Sequence, residues 1–160
     1  MEYQININYS FTAENENEAK EKAKSYVGNN LEVKVMKDGI YSPLEIASKC
    51  KSFRKAKKEY FCVFFLDTQN RILGRETVSI GTLNTSLIHP RECFRTAIVK
   101  TAASVIFVHN HPSGGLEPSA EDLTVTKRLK DAGKLLGIEV LDHVIVTADS
   151  HTSFKERNLL

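Results

Sequence analysis

The stretch SVIFVHNHPSGGLEPSAED, residues Ser104–Asp122, carries the pattern on which the prediction of the fold rests. It opens with an apolar run through Val108, which is typical of a strand buried on both faces of a sheet. Pro112 stops that strand because proline cannot donate a ladder hydrogen bond. Ser-Gly-Gly then turns the chain, and Ser119 caps the next helix. The stretch therefore predicts a buried strand, a tight loop and a helix.

Three residues of this stretch are candidate metal ligands. His109 and His111 are two residues apart, so both imidazoles leave the strand on the same face. Asp122 falls at the third position of the following helix, where its carboxylate can point back towards the strand end. Two imidazoles, one carboxylate and one position left to water make a catalytic zinc site, and zinc lowers the pKa of a bound water to about 7. The spacing alone also allows a polar structural loop.

Further strands and helices are predicted on both sides of this stretch. The run YFCVFFL is a second strand with both faces buried, and Ser42-Pro43-Leu44-Glu45 is a helix start with a capping box. His89-Pro90 begins another helix, and Gly137 ends the helix that Ser119 opens. The predicted strands are 60–66, 71–80, 104–108 and 138–147, and the helix from Ser42 is expected to run towards Lys55.

The first 38 residues are predicted to be a small β-α-β extension. Polar and apolar residues alternate around 3–9 and 31–35, and a stretch rich in Glu, Lys and Ala lies between them. Such a unit is too small to bury much surface alone, so we expect it to pack on the main domain or on a partner. Lys37-Asp38-Gly39 marks the boundary. The predicted domains are thus 1–38 and 39–160.

Composition excludes several classes of protein. With 41% hydrophobic and 26% charged residues, the chain is an ordinary globular protein and not a disordered one. The three cysteines are odd in number and form no C-x-x-C pair, which favours free thiols in a reducing compartment. No signal peptide or bilayer-spanning run is visible, so we expect a cytoplasmic protein without a membrane partner.

The basic residues between Lys49 and Lys58 have two interpretations. They can be the favourable, solvated charge of a helix C-terminus, or a patch for nucleic acid or another acidic partner. The first interpretation is preferred, since the net charge of the chain is only +2. We therefore expect at most weak, salt-sensitive nucleic-acid binding. The oligomeric state is not encoded in any visible pattern.

A family resemblance adds to these predictions. His109-x-His111-Pro112, six residues, Ser119, two residues and Asp122 resembles the JAMM motif of the MPN/JAB metallopeptidase superfamily. The chain from about Gly39 onward also resembles the bacterial RadC family. The resemblance implies an α/β, MPN (JAB)-like fold, a curved mixed sheet flanked by helices. The matching segments are Gly81-Thr82-Leu83-Asn84, His89-Pro90-Arg91-Glu92, His109-Asn110-His111-Pro112-Ser113-Gly114, Gly133-Lys134-Leu135-Leu136-Gly137 and Leu141-Asp142-His143.

The resemblance also implies catalytic residues. In the superfamily, a glutamate before the first core strand activates the zinc-bound water, and Glu59 matches it by position. A hydrolase needs such a base, and a carboxylate at the mouth of a central strand is well placed. From the residues alone, Glu59 is more simply an exposed acid that pairs with Lys57 or Lys58. The serine matching Ser119 assists the tetrahedral intermediate in that superfamily.

Several residues have more than one interpretation. Glu76 and Glu92 are the alternative candidates for the base. His143 lies in an apolar strand, where a core histidine with its hydrogen bonds satisfied is favoured over a metal ligand. The alternative is that it supports one of the metal ligands. His89 is expected to be a cap or turn residue, and His151 a loop residue.

The sequence thus predicts a zinc-dependent hydrolase of the JAMM type. Its expected ligands are His109, His111 and Asp122, with Glu59 as base and Ser119 in support. The expected substrate is a peptide or protein with a peptide or isopeptide-like amide bond, whose identity no visible pocket encodes. The alternative is a non-catalytic or DNA-associated interaction module, and a third interpretation keeps the metal but cleaves another bond. RadC-type proteins usually carry an N-terminal helix-hairpin-helix region, whereas this chain has the short β-α-β unit.

Overall fold

A computed structural model of the protein describes most of the chain in two units, 1–37 and 38–160, which are taken separately. In the first unit it describes helix α1, Glu16–Val27, which carries an ion pair between Lys22 and Glu18 at 2.6 Å. The strands predicted around 3–9 and 31–35 lie outside the described residues, so the β-α-β extension stays a prediction. The described residues are 16–27, 39–40, 42–81 and 88–160.

The second unit is a mixed five-stranded sheet flanked by helices. Strand order is β2-β1-β3-β4-β5; β3 and β4 are parallel and the other neighbours antiparallel. The predicted mixed α/β architecture is thereby confirmed. None of the described helices is long and apolar enough to cross a membrane. The elements are α2 Pro43–Ser48, β1 Glu59–Leu66, β2 Ile72–Gly81, α3 Pro90–Val99, β3 Ser104–Asn110, α4 Ala120–Leu136, β4 Glu139–Val146 and β5 His151–Ser153.

The central strands β1 and β3 are apolar along most of their length because both of their faces are covered. On one face, Phe61 and Phe107 belong to a core that includes residues of α3 and α4. On the other face, Phe64 and Val108 pack in a second core with Ile46 of α2. Alternate residues of each strand therefore enter different cores, as the two continuous apolar runs predict.

Helix α2 is shorter than expected. Its start is as predicted, since Ser42 and Glu45 form a reciprocal capping box. The helix ends at Ser48 and does not continue to Lys55. The chain proceeds instead in three-residue turns, with Phe53 N–H donating to the carbonyl of Cys50 at 3.1 Å. These turns bury Cys50 and Phe53 in the second core, which explains why tertiary packing overrides the helical pattern here.

The register of the strands decides which side chains meet at the end of the sheet where β1 begins and β3 ends. Because β1 and β3 are antiparallel, the start of β1 lies beside the end of β3, and Phe61 is opposite His109. Between β3 and β4 the register shifts: Val105 pairs with Val140, but Ile106 pairs with Asp142. The extra residue in β4 reverses the alternation beyond it. His143 thereby comes opposite Phe107, on the face that α4 covers.

Candidate metal centre

The three predicted metal ligands converge on one point. His109 and His111 leave the end of β3 on the same face, and their Nε2 atoms are 2.9 Å apart. Asp122, in the first turn of α4, places Oδ1 3.3 Å from Nε2 of His109 and Oδ2 3.5 Å from Nε2 of His111. His109 and Asp122 are buried, whereas His111 borders solvent. The residues predicted from two separate elements are therefore brought together.

The start of α4 is fixed by its own side chains. The Ser119 hydroxyl accepts a hydrogen bond from the Asp122 N–H at 3.1 Å, and Oδ2 of Asp122 accepts one from the Ser119 N–H at 2.8 Å. This capping box satisfies two backbone donors and holds the carboxylate at the helix entrance. Gly114, in the preceding loop, has a φ of 81°, a left-handed conformation that glycine adopts without steric cost. Local chemistry thus aims Asp122 at the end of β3.

The geometry and chemistry of these residues fit a divalent metal. In a tetrahedral zinc site with bonds of 2.0–2.2 Å, neighbouring ligand atoms are about 3.3–3.6 Å apart. Here the two Nε2 atoms are 2.9 Å apart, and they lie 3.3 and 3.5 Å from Oδ1 and Oδ2 of Asp122, respectively. One ligand atom from each residue lies within 4.8 Å of the other two. Two imidazole nitrogens and one carboxylate oxygen form a donor set that zinc accepts. His109, His111 and Asp122 could therefore hold a metal ion.

The pKa shifts describe a cluster in which the carboxylate stays ionised. Burial by itself would raise the pKa of Asp122, but the neighbouring imidazoles of His109 and His111 outweigh it and hold that pKa well below its usual range. The hydrogen bond with Asp122 raises the pKa of His111. Burial lowers the pKa of His109, although Asp122 opposes this. The site therefore presents a fixed negative charge beside a neutral imidazole.

Each of the two candidate histidine ligands has a second partner on its other ring nitrogen. Nδ1 of His111 is 2.8 Å from the carbonyl oxygen of Gly115. Nδ1 of His109 is 2.8 Å from Nε2 of His143, which is completely buried as predicted for a core histidine. Nδ1 of His143 is 2.5 Å from the hydroxyl of Thr126. Sequence reasoning missed Thr126, although it follows Asp122 by four residues and so shares its face of α4.

Glu59 lies at the mouth of the same site. An open cleft of about 230 Å³ is lined by residues that include Glu59, His111, Ser119 and Asp122. The antiparallel register explains the meeting, since Glu59 and Phe61 lie on the same face of β1 and Phe61 is opposite His109. The alternatives lie elsewhere, because the Glu76 carboxylate accepts a hydrogen bond from Thr96 and Glu92 contacts Arg91.

Asn110, between the two histidines, holds the segment that bears Glu59. Its side chain leaves the opposite face of β3 and is completely buried. Its Oδ1 accepts a hydrogen bond from the Tyr60 N–H at 2.7 Å. Its Nδ2 donates to the carbonyl of Lys58 at 3.1 Å and to that of Ala56 at 3.4 Å. One residue therefore fixes the backbone on both sides of Glu59.

The remaining histidines, His89 and His151, do not belong to the candidate ligand group. His89 occupies the N-cap position of α3, as expected, but its side chain makes no capping hydrogen bond. His151 begins strand β5, so its prediction as a loop residue was wrong. The cause is the pairing of β5 with β4, in which His151 is opposite Val146.

The site and the fold define a class of protein. Residues 40–159 match the family described as the RadC-like JAB domain, and the chain belongs to that family. The mixed sheet with its helices is consistent with the JAB/MPN-like fold that the resemblance implied.

Curated relatives from bacteria and archaea support the same assignment. A UPF0758 protein of Desulforamulus reducens is 52% identical over 107 residues, covering 67% of this chain and 47% of the relative. One from Desulfitobacterium hafniense is 49% identical over 122 residues, covering 76% and 54%. One from Methanosarcina acetivorans is 48% identical over 122 residues, covering 76% and 53%. The chain thus spans about half the length of the relatives it matches.

Proposed function

We propose that the chain is a zinc-dependent hydrolase of the JAMM type that cleaves a peptide or isopeptide-like amide bond. One observation carries the proposal: His109, His111 and Asp122 converge, and His111 and Asp122 open onto a cleft that Glu59 and Ser119 also line. An ion held only for structure has its coordination closed by the protein, whereas a catalytic ion keeps one position open. Three protein ligands beside an open cleft match the second arrangement.

The five candidate residues have distinct tasks in amide hydrolysis. A bound zinc ion supplies Lewis acidity, which polarises the carbonyl and lowers the pKa of water. The Glu59 carboxylate accepts a proton from the attacking water and passes it to the nitrogen of the leaving amine. The Ser119 hydroxyl accepts a bond from the Asp122 N–H, so its own proton can be donated to the developing oxyanion. His109, His111 and Asp122 bind and orient the ion.

The proposed partner is a peptide or protein substrate. The cleft opens to solvent and is lined by polar residues, which suits an extended backbone better than an apolar small molecule. We further propose that the protein works in the cytoplasm without a membrane partner, and that nucleic acid binds at most weakly through the Lys49–Lys58 segment.

The test compares metal content with hydrolysis in matched variants. Wild type, Glu59→Gln and Asp122→Ala are purified without chelator, loaded with zinc and analysed for bound metal. Each is then incubated with a diverse library of peptides and isopeptides, and cleavage is read by mass spectrometry. Glu76→Gln is the control, because it makes the same chemical change outside the cleft.

The expected results separate the role of the ligands from that of the base. Wild type, Glu59→Gln and Glu76→Gln each bind one zinc per chain, and Asp122→Ala binds little. Glu59→Gln loses about 100- to 10,000-fold in rate, the range for removal of a general base, while Glu76→Gln keeps its activity. Wild type that takes up no zinc, or Glu59→Gln with full activity, contradicts the proposal. Zinc uptake without cleavage of any library member favours the alternative, an interaction module.

A further inference from the structure

Four polar groups connect two of the candidate ligands behind the metal centre. They run from the His109 imidazole on β3, through His143 on β4, to the hydroxyl of Thr126 on α4, and end at the backbone carbonyl of Asp122. The three contacts measure 2.8, 2.5 and 2.6 Å. His109, His143 and Thr126 are each at most 1% exposed. One buried series of hydrogen bonds therefore joins β3, β4 and α4.

The direction of every hydrogen bond in this series follows from its last group, the carbonyl of Asp122. A backbone carbonyl only accepts, so the Thr126 hydroxyl donates its single proton to the Asp122 oxygen. Towards His143 the same hydroxyl must then accept, which requires a proton on Nδ1 of His143. The contact is 2.5 Å, well within the range for a hydrogen bond. His143 is thereby fixed as the Nδ1–H tautomer.

The same reasoning carries on to His109. His143 is completely buried among the rings of Phe61, Phe107 and Phe154, where an imidazolium would be a charge without a counter-ion, so the ring is neutral and its Nε2 carries no proton. Nε2 of His143 is therefore an acceptor, and Nδ1 of His109, 2.8 Å away, must be the donor. A neutral His109 with its proton on Nδ1 leaves Nε2 bare. That is the nitrogen that lies 3.3 Å from Asp122 Oδ1 at the metal centre.

We propose that His143 and Thr126 are positioning residues, which hold His109 in the tautomer that presents its Nε2 lone pair to the metal. The inference rests on the metal site of the proposed function. A histidine ligand in water must first adopt the right tautomer and ring orientation, and here the fold provides both before the ion arrives. Because Thr126 bonds to Asp122 itself, the series also links a ligand on β3 to a ligand on α4.

The surroundings of His143 argue against simple core packing. Its ring stacks on Phe154 at a centroid distance of 4.5 Å and meets the edge of Phe61 at 5.5 Å. A phenylalanine or leucine side chain could occupy this apolar site without removing a polar group from water. An imidazole is costly to bury there unless both nitrogens are bonded, and both are. Its polarity is therefore used in the two hydrogen bonds towards the metal centre.

The test removes the hydroxyl of Thr126 and keeps the shape of the side chain. Thr126→Val deletes the acceptor for His143, and Thr126→Ser retains it. Thr124→Val is the matched control. The Thr124 hydroxyl also donates to the backbone carbonyl four residues earlier, that of Ala120 at 2.8 Å, but Thr124 is exposed. Zinc affinity is measured for each variant by competition with a chromophoric chelator. Circular dichroism and urea unfolding establish that each variant is folded.

A second measurement reads the tautomers without any metal. Long-range ¹⁵N–¹H correlation spectra of the metal-free protein at pH 8 assign the protonated nitrogen of each histidine. We expect His109 and His143 both to carry the proton on Nδ1 in wild type and in Thr126→Ser. In Thr126→Val the His143 proton loses its acceptor, so a mixture of tautomers is expected at both rings.

The outcomes decide between positioning and packing. Zinc affinity should fall about 10- to 100-fold in Thr126→Val, the usual effect of losing an outer partner of a ligand, and stay near wild type in Thr126→Ser and Thr124→Val. Equal affinity in Thr126→Val and wild type, or a wild-type His109 protonated on Nε2, overturns the proposal. If wild type binds no zinc but the tautomers are as expected, the metal site of the proposed function fails and the assigned hydrogen-bond direction stands.

Discussion

Replacing Asn110 by alanine tests how the strand that bears the histidines holds the segment of Glu59. The substitution removes three hydrogen bonds, to the Tyr60 N–H and to the carbonyls of Lys58 and Ala56. The ligands leave β3 on the other face, so zinc binding should persist. The prediction is therefore a specific loss of stability and of order around Glu59, with the metal centre retained.

The three lost bonds differ in what they contribute. The Tyr60 N–H is half-buried, and a donor left without a partner costs about 1–3 kcal/mol. Lys58 is exposed, so water can replace the amide at its carbonyl, and the bond to Ala56 is long at 3.4 Å. Together these two contribute about 0.5–1.5 kcal/mol. We expect the free energy of unfolding to fall by about 1.5–4.5 kcal/mol in total.

Urea unfolding and amide hydrogen exchange measure this loss. With a denaturant slope of about 2 kcal/mol per molar, the middle of the range for small proteins, the urea midpoint of Asn110→Ala should fall by roughly 1–2 M. Exchange of the Tyr60 amide should accelerate relative to amides in the middle of β1. Ser113→Ala, in the exposed loop after His111, is the control and should stay within about 0.5 kcal/mol of wild type. A midpoint unchanged in Asn110→Ala, or a Tyr60 amide exchanging as slowly as before, would refute the reasoning.

Two further predictions concern the core. In Gly133→Ala, the new Cβ would lie 2.6 Å from the carbonyl oxygen of Ile138, so overpacking of about 1–3 kcal/mol should outweigh the gain of roughly 1 kcal/mol in helix propensity. Its urea midpoint should fall while that of Lys134→Ala, exposed on the same helix, barely moves; a stabilised Gly133→Ala would be the opposite result. Burial raises the pKa of Cys50 and of Cys93 to about 12 and also raises that of Cys62, so the thiolate needed for reaction is scarce at pH 8. A thiol-reactive dye should therefore label the native protein slowly, even when the pH is raised to 9, and label all three residues once urea unfolds it; rapid labelling of the native state would contradict this.

The sequence by itself determined the candidate ligand set, because the patterns that define it involve only residues close together in the chain. Alternation along a strand puts His109 and His111 on the same face wherever that strand lies. The capping box of Ser119 and Asp122 depends on residues three apart, so it forms at the helix start without help from the rest of the chain. The resemblance added the family and the mixed sheet, both of which the structure and the relatives confirm.

Only the tertiary structure decided what surrounds those ligands. Nothing in the residues near Glu59 distinguishes an exposed acid beside lysines from a group at the metal cleft. The antiparallel pairing of β1 with β3 places it there, and that pairing joins residues about fifty positions apart. Asn110 could be read as a polar residue between two histidines, but its partners at Lys58 and Tyr60 appear only when the strands are adjacent.

His143 is the clearest example of a side chain whose position only the tertiary structure decides. In a regular strand, Val140 and Asp142 would share one face, and His143 would point into the core on the other side of the sheet. The extra residue between the pairs Val105–Val140 and Ile106–Asp142 reverses this order, and His143 meets His109. A one-residue shift moves every later side chain to the opposite face. Its position is set by how two strands pack together, so the sequence of either strand alone does not contain it.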